Sequence, residues 1–297
     1  MHPVQDAGGR WHALAPAKIN LALHITGRRG DGYHALDTLA VFTGYGDRIH
    51  IEPAGEDRFC LSGPMASGLD AGGANLVTRA RDLLRTVRYF PPVSIRLEKN
   101  LPVASGIGGG SSDAAATLRA LDAAFSLGLD VADLAAIAAP LGADLPMCVH
   151  GLPLRASGIG EVVRPLKGFP SLAIVLVNPG EYVSTPDVFR ALQSRDNPPL
   201  PAPDGLGTAG QVVEWLASTR NDMQDAAIGI CPAIVQALEA LEGERPLFSR
   251  MSGSGATCFA LFEDERAAEK AARTIAATRP AWFVIATETF ASSGGNP

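Results

Sequence analysis

The chain has 297 residues, 46% hydrophobic and 19% charged, so it can bury a substantial core and is not intrinsically disordered. Its formal net charge of −6 argues against general nucleic-acid binding, which needs a basic surplus, but leaves room for a local basic pocket. No apolar run approaches the ~18 residues that a membrane helix needs.

The stretch from Met1 to about Trp11 is polar and glycine-containing. It lacks the apolar segment of a signal peptide, and roughly the first 13 residues are expected to fray. Ile19 to Thr26 and Leu36 to Phe42 read as strands, separated by the turn-rich Gly27-Arg28-Arg29-Gly30-Asp31-Gly32. Asn75 is placed to cap a helix that runs to about Val87. Val93, Ile95 and Leu97 then alternate with Ser94, Arg96 and Glu98, the period of a half-buried strand.

A glycine-rich stretch from Ser105 to Ser112 follows, and helical spacing of Leu118, Leu121 and Phe125 predicts a helix from near Ser111 to Leu127. Asp130, Asp133, Leu134, Ile137 and Leu141 predict a second helix, ended by Gly142. Asp144 is thereby left in a loop or at an element end. Further on, Leu172–Val177, Thr257–Phe262 and Phe283–Thr289 read as strands. Val212–Ser218, Ile234–Leu241 and Glu265–Thr278 read as helices, and Asn197 to Gly210 as a surface connection.

Strands and helices mix without strict alternation, which predicts an α+β fold. A composition shift near Arg164-Pro165 divides the chain into an N-terminal lobe of residues 1–165 and a C-terminal lobe of residues 166–297. Cys60, Cys148, Cys231 and Cys258 show no metal-ligand spacing and read as buried thiols of a reducing compartment, the cytoplasm.

The sharpest chemical signal is Pro102 to Ala116, PVASGIGGGSSDAAA. Gly106, Gly108, Gly109 and Gly110 let the backbone approach a ligand, and the N–H groups that open a helix at Ser111 and Ser112 hold anions. The stretch is neither a P-loop, since the lysine is absent, nor a GxGxxG turn. Its bland alternative is a flexible turn before a capped helix. A second cluster, Met251 to Thr257 (MSGSGAT), is by itself equally a tight turn between helix and strand. Lys18 and Asn20 share one side of a strand. Taken singly they read as a solvent face, Asp144 as an ordinary helix-end acid, and His34 as a surface or structural histidine.

Jointly, PAKINLAL from Pro16, PVASGIGGGSSDAA from Pro102 and MSGSGAT from Met251 resemble the galactokinase–homoserine kinase–mevalonate kinase–phosphomevalonate kinase superfamily. Gly27–Leu39 (GRRGDGYHALDTL), Gly142–Gly151 (GADLPMCVHG), Gly158–Glu161 (GIGE) and Arg220–Met223 (RNDM) narrow the match to the branch whose acceptor is a cytidine-diphosphate-linked sugar alcohol of the non-mevalonate isoprenoid route. The resemblance covers about Ala15 to Thr289. Ile107 stands where the family usually has Leu. Gln224 replaces an acid often found after the ND motif, and no chemical role is assigned to it.

The resemblance implies a two-lobed α+β kinase with the active site between the lobes, using ATP and Mg²⁺ to phosphorylate a hydroxyl group. Pro102 and Gly106 to Ser112 would wrap the ATP phosphates, with Asn75 and Lys99 near the adenine and sugar. Tyr33 and Phe189 would sandwich the cytosine and His34 would bond its edge. Lys18, Asn20 and Asp144 would surround the reacting hydroxyl, with Asp144 as base and Lys18 as its electrostatic partner. No metal ligand is assigned, and no nucleic-acid or membrane partner is expected. A homoserine or mevalonate kinase, or a catalytically silent nucleotide-sensing module, remain the alternatives.

Overall fold

The computed structural model describes residues 2–30, 32–67, 69 and 75–293. Asp31, part of the turn and of the GRRGDGYH motif, lies outside the described residues. The chain divides into two compact units, each assembled from separate stretches. The first comprises Met1–Ala17, Gly46–Val103 and Gly108–Gly151. The second comprises Lys18–Tyr45, Ala104–Ile107 and Leu152–Pro297.

Two long strands contribute residues to both units: β2 (Trp11–Arg28) and β3 (His34–Pro53). In the first unit they join β1 (Val4–Gln5), β4 (Arg58–Ser62) and β5 (Val93–Glu98) in the order β1-β2-β3-β5-β4. β5 runs antiparallel to β3, with Ile49 opposite Leu97 and Ile51 opposite Ile95, and parallel to β4. The N-terminal residues expected to fray instead form a hairpin, with Val4 opposite His12 and Gln5 opposite Trp11. The turn is tied down by Asp6, whose carboxylate accepts the backbone N–H groups of Gly8 and Arg10.

The unit also contains the helices α1 (Leu76–Val87), α2 (Gly109–Phe125), α3 (Val131–Ala138) and α4 (Leu145–His150). Asn75 caps α1 as expected, accepting the Val77 N–H at 2.9 Å. Asp130 and Asp133 form a reciprocal capping box at α3. α2 starts two residues before the expected position, because Gly108 takes a left-handed conformation (φ 66°) that turns the chain straight into the helix. Its small residues Ala114, Ala115, Ala116 and Ala120 are fully buried and let α1 and α4 pack closely against it.

The second unit continues β3 onto β6 (Leu154–Gly158), which pairs with β7 (Val162–Pro165). Its other sheet holds β8 (Ala173–Asn178), β9 (Phe248–Met251), β10 (Cys258–Phe262) and β11 (Phe283–Glu288) in the antiparallel order β11-β8-β10-β9. Around these lie α5 (Thr185–Ala191), α6 (Ala209–Ala217), α7 (Gln224–Ile230), α8 (Ala233–Gly243) and α9 (Glu265–Thr278). β8 and β10 are buried along their whole length, which explains their unbroken apolar sequences. The core gathers Val175, Val177, Ile234, Leu241, Cys258 and Ile275.

Cys148, Cys231 and Cys258 are buried, but Cys60 is exposed, contrary to the reading of all four as buried. It sits on β4, at the end of the strand order, where one edge pairs with no strand among the described residues. Among the described residues no single helix is long and apolar enough to cross a membrane.

Candidate active site

Three motif segments meet inside the second unit. Lys18, on β2 and 3% exposed, donates its backbone N–H to the Ile107 carbonyl at 2.9 Å. Two residues on, the Asn20 backbone N–H donates to the Ser252 hydroxyl at 3.0 Å, and that hydroxyl donates to the Gly106 carbonyl at 3.2 Å. The Thr257 N–H reaches Ser105 O. Gly106 needs its positive φ of 75°, and a β-carbon there would stand 2.6 Å from Ser252 O and 2.7 Å from Gly255 O. Gly253 is equally confined against Gly106 O. The two glycine clusters are therefore crossed backbones.

The crossing is held from behind by residues that the sequence did not single out for a role. Asn221, in the RNDM segment, donates from Nδ2 to Met251 O at 2.9 Å and Gly253 O at 2.8 Å. Gln224 accepts the Met251 N–H at 3.0 Å. An amide oxygen suits this purpose as well as the family's more usual acid, which accounts for the substitution. Arg250 donates to the carbonyls of Leu21, Leu216 and Thr219, and burial pulls its pKa down to about 10.

Asn20 itself bonds Thr38 through Nδ2 at 2.8 Å, while its buried Oδ1 has no partner among the described residues. His34 and Phe189 stack face to face, 4.5 Å between centroids and 11° between planes. This pairing differs from the expected Tyr33–Phe189 sandwich: His34 lies on the Phe189 ring, and Tyr33 is 60% exposed. Burial, then the charges of Arg195 and Arg28, hold the His34 pKa below its ordinary value, so the ring is neutral at pH 7. A cavity of about 530 Å³ is lined by Thr26, Leu36, Asp37, Ser157 and Asn197. The buried Asp37 carboxylate anchors it, accepting from Arg155 Nε at 2.8 Å and from Leu200 N at 2.9 Å.

In the first unit, Gly108 opens α2, so Gly109, Gly110 and Ser111 present the N–H groups of a helix start. Below them lies a charge cluster. Lys99, 4% exposed, donates to Asp47 and, at 2.9 Å, to Asp113 Oδ2. Asp47 also accepts the backbone N–H groups of Asn100 and Leu101. Burial works against the Lys99 charge, but Asp113 and Asp47 outweigh it and raise its pKa. Asp113 is the surplus acid: burial, opposed by Lys99 and reinforced by Asp47, pushes its pKa well up. A β-carbon on Gly109 would lie 3.5 Å from Lys99 Nζ, so the ammonium sits directly under the loop. Lys99, expected near the adenine and sugar, has its charge engaged by these two carboxylates.

Asp144 is half-buried and serves as the N-cap residue of α4. Its carbonyl accepts the Cys148 N–H at 3.1 Å, and Pro146 in the first turn favours helix entry there. Pro102 is partly buried between β5 and the glycine loop. Lys18, Asn20, Tyr33, His34, Gly106 and Phe189 thus belong to the second unit. Asn75, Lys99, Pro102, Gly108 to Ser112 and Asp144 belong to the first.

Comparison with known proteins supplies the context. The model of the GHMP kinase N-terminal domain matches residues 75–152 and that of the GHMP kinase C-terminal domain residues 205–281. The chain is 55% identical to the 4-diphosphocytidyl-2-C-methyl-D-erythritol kinase of Brucella abortus, over 98% of this chain and 99% of that protein. A crystal structure of 4-(cytidine 5'-diphospho)-2C-methyl-D-erythritol kinase superposes with a TM-score of 0.79 at 34% identity, covering 96% of this chain and all of that one. Homoserine kinase from Cytophaga hutchinsonii, 18% identical, shares the fold with a TM-score of 0.69 over 98% of each chain.

Proposed function

The chain belongs to the GHMP kinases and, within them, to the 4-diphosphocytidyl-2-C-methyl-D-erythritol kinases, and from that premise we propose how its residues carry out the transfer. It is an ATP-dependent small-molecule kinase. The acceptor is 4-diphosphocytidyl-2-C-methyl-D-erythritol, and the group phosphorylated is its 2-hydroxyl. Asp144 takes the hydroxyl proton as the oxygen attacks the γ-phosphorus. The new O–P bond forms while the bond to the β-phosphate oxygen breaks, and ADP leaves. Lys18 favours the developing alkoxide by its charge, and Asn20 Oδ1 accepts a hydrogen bond that aligns the acceptor.

The observation that carries this reading is the crossing of Gly106 with the Ser252–Gly255 backbone, braced by Asn20. It ties the acceptor-side strand to the phosphate loop through the Ser252 hydroxyl, beside the direct bond from the Lys18 N–H to the Ile107 carbonyl. The N–H groups from Gly108 to Ser111 hold the ATP phosphates, the Ser112 N–H being taken by the Gly108 carbonyl, with Lys99 stiffening the loop from beneath. The neutral His34 and Phe189, with Tyr33 next to His34 in sequence, recognise the cytosine; a planar base would extend this ring stack.

Magnesium would supply charge neutralisation on the phosphates. Among the described residues no group of three or more His, Cys, Asp or Glu is placed to hold a metal. An ATP-borne magnesium ion keeps several waters and needs no such cage. The buried Ser112 hydroxyl, without a hydrogen-bond partner among the described residues, is an oxygen that fits the magnesium–phosphate unit. The free thiols fit a cytoplasmic protein.

The test is to supply ATP, Mg²⁺ and one acceptor at a time: the diphosphocytidyl compound, mevalonate or homoserine. A product heavier by one phosphoryl group with the cytidine compound alone is expected. Turnover of mevalonate or homoserine instead would discard the cytosine site.

A further inference from the structure

Arg119 lies in the middle of α2, between the fully buried Leu118 and Ala120, where a helix that packs on two others would ordinarily carry an apolar residue. Its guanidinium forms no ion pair with any carboxylate among the described residues. Nη1 donates to the carbonyls of Cys148, at 2.7 Å, and Val149, at 3.1 Å, while Nη2 is buried without a partner among the described residues. Burial pulls its pKa down to about 10, which still leaves it charged at neutral pH. A partly buried cation without a counter-ion opposes folding. What partly compensates it here is the negative end of α4, whose last carbonyls have no partners within the helix.

The same short helix begins at Asp144. The Asp144 carbonyl accepts the Cys148 N–H at 3.1 Å, and the Cys148 carbonyl accepts from Arg119. Asp144 is therefore two hydrogen bonds from Arg119, through one residue. At its other end α2 starts with the glycine loop. One side chain thus links the helix that begins at the phosphate loop to the helix that begins at Asp144.

We infer that Arg119 is a positioning residue for the transfer: it clamps the C-terminal end of α4 and thereby fixes where Asp144 stands relative to the start of α2. The inference rests on Asp144 being the base. A phosphoryl transfer depends on alignment more than on any covalent help from the protein, so a shift of α4 by part of an ångström lowers turnover without weakening ground-state binding. A purely structural arginine would behave differently: its loss would lower stability and leave the per-molecule rate of folded enzyme unchanged.

The experiment is a double-mutant cycle of Arg119→Met with Asp144→Asn, read in kcat and in KM for ATP and for the diphosphocytidyl acceptor, well below the melting temperature of every variant. R119M is expected to lower kcat at least tenfold with both KM values within threefold of the parent. In the D144N background the same change is expected to alter the residual rate, followed by product mass over long incubations, less than twofold. Arg119→Lys keeps a cation that can reach one carbonyl and is expected to restore part of the loss. A kcat for R119M within twofold of the parent overturns the inference, as does an equal loss in both backgrounds. Should R119M fail to fold, R119K carries the same cycle, with a loss of about threefold in the parent and none in D144N; equal effects in both again overturn it. An undiminished kcat in D144N alone would remove Asp144 as base and the inference with it. A deficient D144N beside a normal R119M would remove Arg119 only.

Discussion

The backbone of Gly106 crosses that of Ser252 so closely that a β-carbon on Gly106 would stand 2.6 Å from the Ser252 carbonyl oxygen. The Gly106 φ of 75° adds a second restriction, because the left-handed region costs a residue with a β-carbon about 1–2 kcal/mol. Gly106→Ala must separate the two loops. Stability is expected to fall by at least about 2 kcal/mol in denaturant titrations, and KM for ATP to rise tenfold or more. A variant with parental stability and ATP affinity would show that the loops can part without consequence.

Ser252 is expected to matter for a different reason. Its hydroxyl satisfies the buried Asn20 N–H and reaches Gly106 O. Ser252→Ala leaves that N–H unpaired, at a cost of about 1–3 kcal/mol. Ser252→Cys, nearly the same shape but a poor acceptor, should behave like the alanine variant. Chemical denaturation compares the two, and recovery of stability in the cysteine variant would mean that shape, not the hydrogen bond, is what counts.

Asp144→Asn keeps the size of the side chain and removes the base. Turnover is expected to drop about 10²–10⁴-fold while ATP affinity, measured by calorimetry, stays within threefold. An equal loss in both quantities would contradict the assignment of Asp144 to proton transfer.

Phe189→Ala should raise KM for the cytidine acceptor about tenfold, from lost stacking and a displaced His34 ring, and leave KM for ATP unchanged. Steady-state kinetics with each substrate varied in turn decides it; an unaltered acceptor KM removes Phe189 from the base site.

The His34 ring adds a pH dependence whose sign is fixed. Its folded pKa lies below 6.5, chiefly through burial, so folding favours the neutral form. The stability it contributes is complete above pH 6.5 and is lost as pH falls through the folded value. Acceptor KM is accordingly expected to be flat from about pH 8 to 6.5 and to rise below that. His34→Gln should flatten the lower limb, and a limb that persists in that variant would belong to another group.

Much of the fold could be read in advance where local signals were strong. α9 occupies Glu265–Thr278 as its periodicity requires, with Asp264 accepting the Ala267 N–H as cap. The caps at Asn75 and Asp130 were equally legible. β2 was legible only over Ile19–Thr26, because Pro16 lacks the N–H that a sheet ladder needs. Yet the strand passes through it, and opposite, at Gly46, a β-carbon would stand 2.1 Å from Ala15 O. α4 was hidden because Leu145 to Val149 are all buried, so no alternation of polar and apolar residues marks a face. In the site, the glycines announce themselves, whereas Ser252, Asn221 and Gln224 are ordinary polar residues. Their roles come from partners far away in sequence. The stacking of His34 on Phe189 is of the same kind: each ring is visible, their pairing is not.

The interleaving of the two units has a consequence for synthesis on the ribosome. The first unit draws on nothing beyond Gly151, so its parts are all made before the Leu152–Pro297 stretch of the second. The Leu36–Ala40 stretch of β3, by contrast, is made early and must wait, its edge unpaired, until Leu154–Gly158 emerges to bond with it. Nascent chains stalled in that interval carry a strand edge that a chaperone, or another nascent chain, can capture.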